Sequence, residues 1–126
     1  MSRRGFDSAR VPRPDGPYSS GVSAGHLVLV SAQLPLTAEG IVVDGSAAEQ
    51  ARRCLDNLAH QLRSQGLGLD SVAELVVYAV AEEDVTAIDA AVAEYFDEPR
   101  PARTVVGVAW VPHGARLQVG ALAIRY

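Results

Sequence analysis

Apolar residues fall in short dense runs that alternate with stretches of helical spacing. Leu27-Val28-Leu29-Val30-Ser31, approached through Gly21-Val22-Ser23-Ala24-Gly25-His26, reads as a buried strand. Leu34-Pro35 and Glu39-Gly40 punctuate the loop behind it, and Ile41-Val42-Val43 is a candidate short strand. Ser46-Ala47-Ala48-Glu49 has the form of a capping box, in which serine and glutamate satisfy free N–H groups at a helix start. Ala51, Cys54, Leu55, Leu58 and Leu62 then recur at helical spacing until Gly66 supplies a stop. Leu75-Val76-Val77-Tyr78-Ala79-Val80 predicts another buried strand. A second helix is expected from about 84 to 97, with Val85, Ile88, Val92, Tyr95 and Phe96 on its core face, ended by Pro99 and Pro101. Two last strands, near 103–111 and 116–125, are joined by Pro112-His113-Gly114-Ala115. The order predicts an α+β domain with both helices on one face of the sheet, and oligomerisation is one way to cover the other face.

Residues 1–15, with Arg3, Arg4, Arg10, Arg13 and two prolines but little apolar content, read as a flexible or surface-hugging arm before a single domain over 16–126. No run is long enough to span a membrane, and Met1–Gly5 has no apolar segment behind it of the kind a secretory signal needs. A lone cysteine, Cys54, excludes an internal disulfide; it fits a cytoplasmic location and packs as a small apolar residue. His26, His60 and His113 lack ligand-like spacing, so no metal is expected. A net charge of −4 and a pI near 5.2 argue against a nucleic-acid groove. All eleven basic residues are arginine, which excludes lysine Schiff-base chemistry and leaves anion recognition to arginine or backbone N–H groups.

Among those arginines, Arg103 stands out. It lies in Pro101-Ala102-Arg103-Thr104, after a proline-punctuated loop and directly before Val105-Val106-Gly107-Val108. A guanidinium at the edge of a core strand needs an anionic partner, and its planar fork matches a carboxylate through two parallel hydrogen bonds. Such an arginine either pairs or snorkels within the protein, or waits for a ligand.

In order and spacing the chain resembles the RidA/YjgF family, the reactive-intermediate deaminases whose members also carry the label L-PSP endoribonuclease. The matching residues are Gly16-Pro17-Tyr18-Ser19, Val28-Leu29-Val30-Ser31-Ala32-Gln33-Leu34-Pro35, Leu55-Asp56-Asn57-Leu58, Tyr95-Phe96, Pro101-Ala102-Arg103-Thr104 and Val111-Pro112. The resemblance implies a chorismate-mutase-like (YjgF) fold, a mixed sheet with two helices on one face. It also implies a homotrimer with clefts between subunits, and cofactor-independent hydrolysis of enamines and imines such as 2-aminoacrylate to 2-keto acids and ammonia. By the same resemblance Arg103 holds the substrate carboxylate. Tyr18, Ser31, Ala32, Asp89 (where many members have asparagine), Val105 (often cysteine) and Gly120 line the binding site.

The chain also departs from that pattern. Deaminating members typically read Glu-Ile-Glu-Ala in the last strand, and the second glutamate is thought to position the hydrolytic water. Here the stretch is Gln118-Val119-Gly120-Ala121, and Gly120 has no side chain to act as a base. Losing a general base removes roughly 10²–10⁴-fold of rate. The alternative is therefore a non-deaminating member that binds a small carboxylate metabolite or acts on a pathway-specific intermediate. Ribonuclease action is disfavoured by acidity, the absence of lysine and the lack of a histidine acid–base pair. If the last two strands form a symmetric hairpin about 112–115, Gly107 lies across from Gly120, and Arg103, Val105 and Gly107 share a face. The two glycines would then either hollow out the cleft beside Arg103 or be tolerated at a bulge or against a bulky neighbour.

Overall fold

The computed structural model describes residues 2–126. Strands β1 (Arg4–Phe6), β2 (Gly21–Ala24) and β3 (Leu27–Gln33) precede helix α1 (Ala47–Arg63). Strand β4 (Val72–Ala79), helix α2 (Val85–Tyr95), and strands β5 (Ala102–Gly107) and β6 (Leu117–Ile124) complete the chain. One six-stranded sheet results, in the order β1-β2-β3-β6-β4-β5, antiparallel except for the β4–β5 pair. It is the mixed α+β architecture that the apolar pattern predicts.

Both helices pack on one face of this sheet. Val28 and Val30 of β3, Leu75 and Val77 of β4, and Leu117 and Val119 of β6 meet Leu55, Leu58 and Leu62 of α1 and Ile88 and Val92 of α2 in one core. Ser46 caps α1 by accepting the Glu49 N–H at 3.2 Å. The glutamate folds back onto the Ser46 hydroxyl, 3.3 Å away, so the capping box differs in its return bond. The two helices are tied by Arg52 gripping Glu94 through Nε and Nη2 at 3.0 and 3.1 Å, and by the Tyr95 hydroxyl donating to Asp56 at 2.7 Å. Partial burial and that bond to Asp56 push the Tyr95 phenol up to about 12.

Several elements differ from the sequence expectation. The last two strands form no hairpin: β5 pairs in parallel with β4 through the α2 crossover, and β6 inserts antiparallel between β3 and β4. A parallel neighbour reached through a helix satisfies β5 on one side only and leaves it at the sheet edge. Strand β5 also stops at Gly107, short of 111, after which the Val108 N–H turns back to Ala79 O at 3.0 Å. Ile41–Val43 contributes only an isolated bridge between Val42 and Leu36. Strand β2 was not expected, because its four residues include one large apolar side chain. Pairing and a two-residue turn begun by Gly25 at φ 60° form it instead. Arg4–Phe6, within the segment read as an arm, adds an edge strand to β2. Phe6 lies over Gly21 so closely that a Cβ there would come within 2.1 Å of the ring.

Asn57 of α1 explains its place in the Leu55–Leu58 motif. Its side chain is 1% exposed, and Nδ2 donates to the carbonyls of Leu34 and Leu36 at 3.0 and 2.9 Å. It thereby clamps the loop that follows β3. Replacing it with alanine strips both carbonyls of their donor, and the expected cost is about 2 kcal/mol. Chemical denaturation would measure this; an N57A loss below about 0.5 kcal/mol would mean that the loop finds other donors. Cys54 is fully buried and burial pushes its thiol up, well above the ordinary range. Ellman's reagent is expected to leave the native protein unlabelled and to titrate one thiol after denaturation. Prompt native labelling would contradict this packing.

Candidate functional site

The Val28–Pro35 motif carries a defect in the sheet. Val30 pairs with Ala121 and Gln33 with Val119, so Ser31 and Ala32 together oppose the single residue Gly120. Two residues against one is a β-bulge, a device that bends a strand and re-aims its side chains. The bulge is held from the turn ahead of β2. The Ser31 N–H donates to Ser20 O at 2.9 Å and its hydroxyl to Ser19 O at 2.7 Å, while Gln33 Nε2 donates to Ser31 O at 2.9 Å. Gly120 fits beneath it: a Cβ there would lie 3.6 Å from the Ala32 backbone and from Val30 O.

The same turn carries Tyr18. Its hydroxyl donates to Asp15 Oδ1 at 3.0 Å, and His113 Nε2 stands 3.5 Å from the other carboxylate oxygen. Partial burial raises the Tyr18 pKa and the bond to Asp15 adds to this, while that bond lowers the pKa of Asp15. Tyr18, Ser31 and Ala32 line one cavity of about 210 Å³ together with Arg13, Asp15 and His113. On the open face of the sheet, Ser31, Ala32 and Gly120 also border a shallow basin of about 520 Å³ with Val76, Tyr78 and Leu122. Asp15 and His113 escaped the sequence reading. They lie far apart in the chain, and nothing in their spacing marks them; His113 reaches Asp15 from a turn in which its own φ is 64°.

Arg103 lies elsewhere. It opens the edge strand β5 opposite Leu75, on the helix-bearing face, and meets Asp89 of α2. Nε donates to Asp89 Oδ1 at 3.0 Å and Nη2 donates to Oδ2, a bidentate pair whose side chains are 37% and 39% exposed. Asp89 thus takes the Nε–Nη2 side of the guanidinium, and among the described residues Nη1 has no partner. Arg103 is the internally paired arginine of the two possibilities its sequence left open, with one fork still directed outward. Val105 and Gly107 share its face, as the period of two requires, and line an open groove of about 520 Å³ with Val80, Val85 and Val108.

The expected facing of Gly107 and Gly120 does not occur. Gly107 pairs with Ala79, whereas Gly120 pairs with Val76, and β4 separates the two strands. Gly120 therefore hollows no space beside Arg103: it sits under the bulge, on the opposite sheet face. Gly107 does face open space, since a Cβ there would meet nothing within 4 Å, but four residues of strand, about 13 Å, separate it from Arg103. Within one chain the seven expected site residues form two groups. Tyr18, Ser31, Ala32 and Gly120 gather at the bulge; Arg103, Asp89 and Val105 gather at the edge. Strands β6 and β4 intervene between β3 and β5, a separation of about 14 Å across the sheet.

A six-stranded mixed sheet with two helices on one face is a fold with solved examples. The crystal structure of yeast Mmf1 matches with a TM-score of 0.94 at 26% identity, covering 99% of this chain and 100% of that one. That of E. coli TdcF with bound serine matches at 0.90 and 28%, covering 98% and 99%. A family model described as Endoribonuclease L-PSP matches residues 8–125. The chain belongs to that family, the RidA/YjgF family that its motifs resemble. A 2-iminobutanoate/2-iminopropanoate deaminase of Capra hircus is 31% identical over 126 residues, 99% of this chain and 92% of the relative.

The seat of Gly120 has a direct consequence. A Cβ 3.6 Å from its neighbours is an ordinary contact and the backbone is not left-handed, so G120A is expected to leave stability unchanged or raise it by about 0.4–1 kcal/mol. Thermal melts would check this. A clear fall in midpoint would mean that the bulge needs closer approach than the structure gives it.

Proposed function

We propose that the protein is a cofactor-independent hydrolase of short 2-imino acids and their enamine tautomers, releasing ammonia and a 2-keto acid. The observation that carries this reading is the outward fork of Arg103 at an exposed strand edge, in a chain that aligns over nearly its whole length with an imine deaminase. A substrate carboxylate accepting from the Nη1 and Nη2 side would fix the adjacent C=N group in one orientation. Water adds to the imine carbon, the nitrogen gains a proton, and the resulting carbinolamine expels ammonia as the carbonyl forms. Neither Gln118 nor Gly120 offers a carboxylate to speed the water, so the reaction leans on substrate positioning. A slow enzyme is expected.

The two groups of site residues suit a cleft shared between copies of the chain, with the Arg103 edge of one facing the Ser31–Ala32 bulge of the next. Leu27, Leu29 and Val106, each more than a third exposed, lie on the sheet face that the helices leave bare. A homotrimer would cover them. Sedimentation is expected to give three times the 13.3 kDa chain mass; a monomer at micromolar concentration would remove the shared cleft.

Ammonia release from freshly generated 2-iminobutanoate tests the chemistry. R103A is expected to lose at least tenfold in kcat/KM while keeping its melting temperature. A wild-type rate no higher than that of R103A would exclude deamination of this substrate and leave the carboxylate-binding alternative.

A further inference from the structure

We infer that Asp89 sets the substrate class of this site. By balancing the charge of Arg103 while leaving one guanidinium fork free, it creates an anchor that accepts 2-imino and 2-oxo compounds with an uncharged carboxamide nearly as well as free carboxylates. The inference rests on the reading of Arg103 as the substrate anchor. It concerns which head groups that anchor prefers.

A guanidinium carries five N–H donors in one plane. Asp89 uses the Nε donor and one Nη2 donor, which leaves one donor on Nη2 and both on Nη1. That remaining edge can donate equally well in geometry to a carboxylate or to an amide oxygen. Charge is what separates the two ligands. Facing an unpaired arginine, a carboxylate gains the attraction of a full positive charge and the amide does not. Here a carboxylate approaches a group already neutralised, with the Asp89 charge on the far side of the same planar cation. The pair is half-exposed, so the repulsion is damped but not abolished, and its expected size is about tenfold in affinity. Asp89 is held in place to exert it. Its helix neighbours Ile88 and Val92 are buried in the core, which fixes the face of α2 that Asp89 occupies beside β5.

The fold also supplies the reason that this residue acts on preference and not on assembly. Asp89 and Arg103 lie at a solvent-facing edge, where an ion pair contributes about 0–1 kcal/mol to stability. Changing Asp89 therefore alters the charge presented to a ligand with little effect on the protein that presents it.

Calorimetric titration of the full-length protein with 2-oxobutanoate and with its neutral amide, 2-oxobutanamide, tests the inference. The wild type is expected to favour the carboxylate by less than tenfold. In D89N the carboxylate should bind about tenfold tighter while the amide stays within about twofold, so the ratio rises. D89A, which removes the acceptor altogether, guards against an amide group that turns its NH2 towards the guanidinium, and it should raise the ratio similarly. A merely structural role would weaken both ligands together. If R103A loses both ligands but neither Asp89 variant moves the ratio by more than twofold, Asp89 does not set the preference and the anchor reading survives. If the wild type binds neither ligand, or R103A binds them as well as wild type, the anchor reading fails and this inference falls with it.

Discussion

Strand β6 is hydrogen-bonded on both sides, to β3 and to β4, and the bulge in β3 and the edge position of β5 both follow from that arrangement. Because β6 occupies the middle of the sheet, β5 can add only beyond β4, in parallel, with its outer edge unpaired. Arg103 thereby starts a strand that is anchored on one side and open on the other. The same central strand sets the bulge. Gly120 lies within β6, and the two-residue step of Ser31 and Ala32 settles over it, with room left for a Cβ at ordinary contact distance. One strand's placement thus fixes both an outward cation and a re-aimed serine.

The Arg103–Asp89 pair has little to do with holding the fold together. Bidentate geometry makes it well ordered, but half-exposure keeps its contribution within about 1 kcal/mol. Its value lies in direction. Asp89 fixes the plane of the guanidinium from the Nε–Nη2 side, so the free edge points away from the helix instead of sampling many rotamers. Orientation is gained at the expense of net positive charge. The pair presents a dipole where an unpaired arginine would present a full positive charge.

Local periodicity made much of this molecule legible. The helices declared themselves through the spacing of Leu55, Leu58 and Leu62 and of Ile88 and Val92, and β3 and β4 through dense apolar runs. Arg103 was legible because a charged fork before a valine run is chemically conspicuous. Strand order was not, since the insertion of β6 between β3 and β4 is a long-range pairing with no local mark, and the hairpin inference that joined Gly107 to Gly120 failed there. Strand β2 was hidden because its backbone, and not its side chains, makes it a strand. The Asp15–Tyr18–His113 cluster was hidden for a related reason: its members come from a turn near the start and a turn near the end, brought together only by the finished sheet.

The split of the site residues within a single chain bears on how such a site can work. The bulge group and the arginine group stand on strands with two others between them, and the arginine projects from the helix-bearing face. A molecule the size of a four-carbon imino acid cannot bridge about 14 Å of sheet, so one copy of the chain presents either an anchor or a polar pocket to a given ligand. Apolar side chains of β3 and β5 on the bare face would gain by meeting a second surface. That need is separate from the placement of Arg103, whose side chain is on the helix-bearing face at the rim of the sheet. A position at the rim leaves one guanidinium edge open on the unpaired side of β5, which burial deep in the core would not allow.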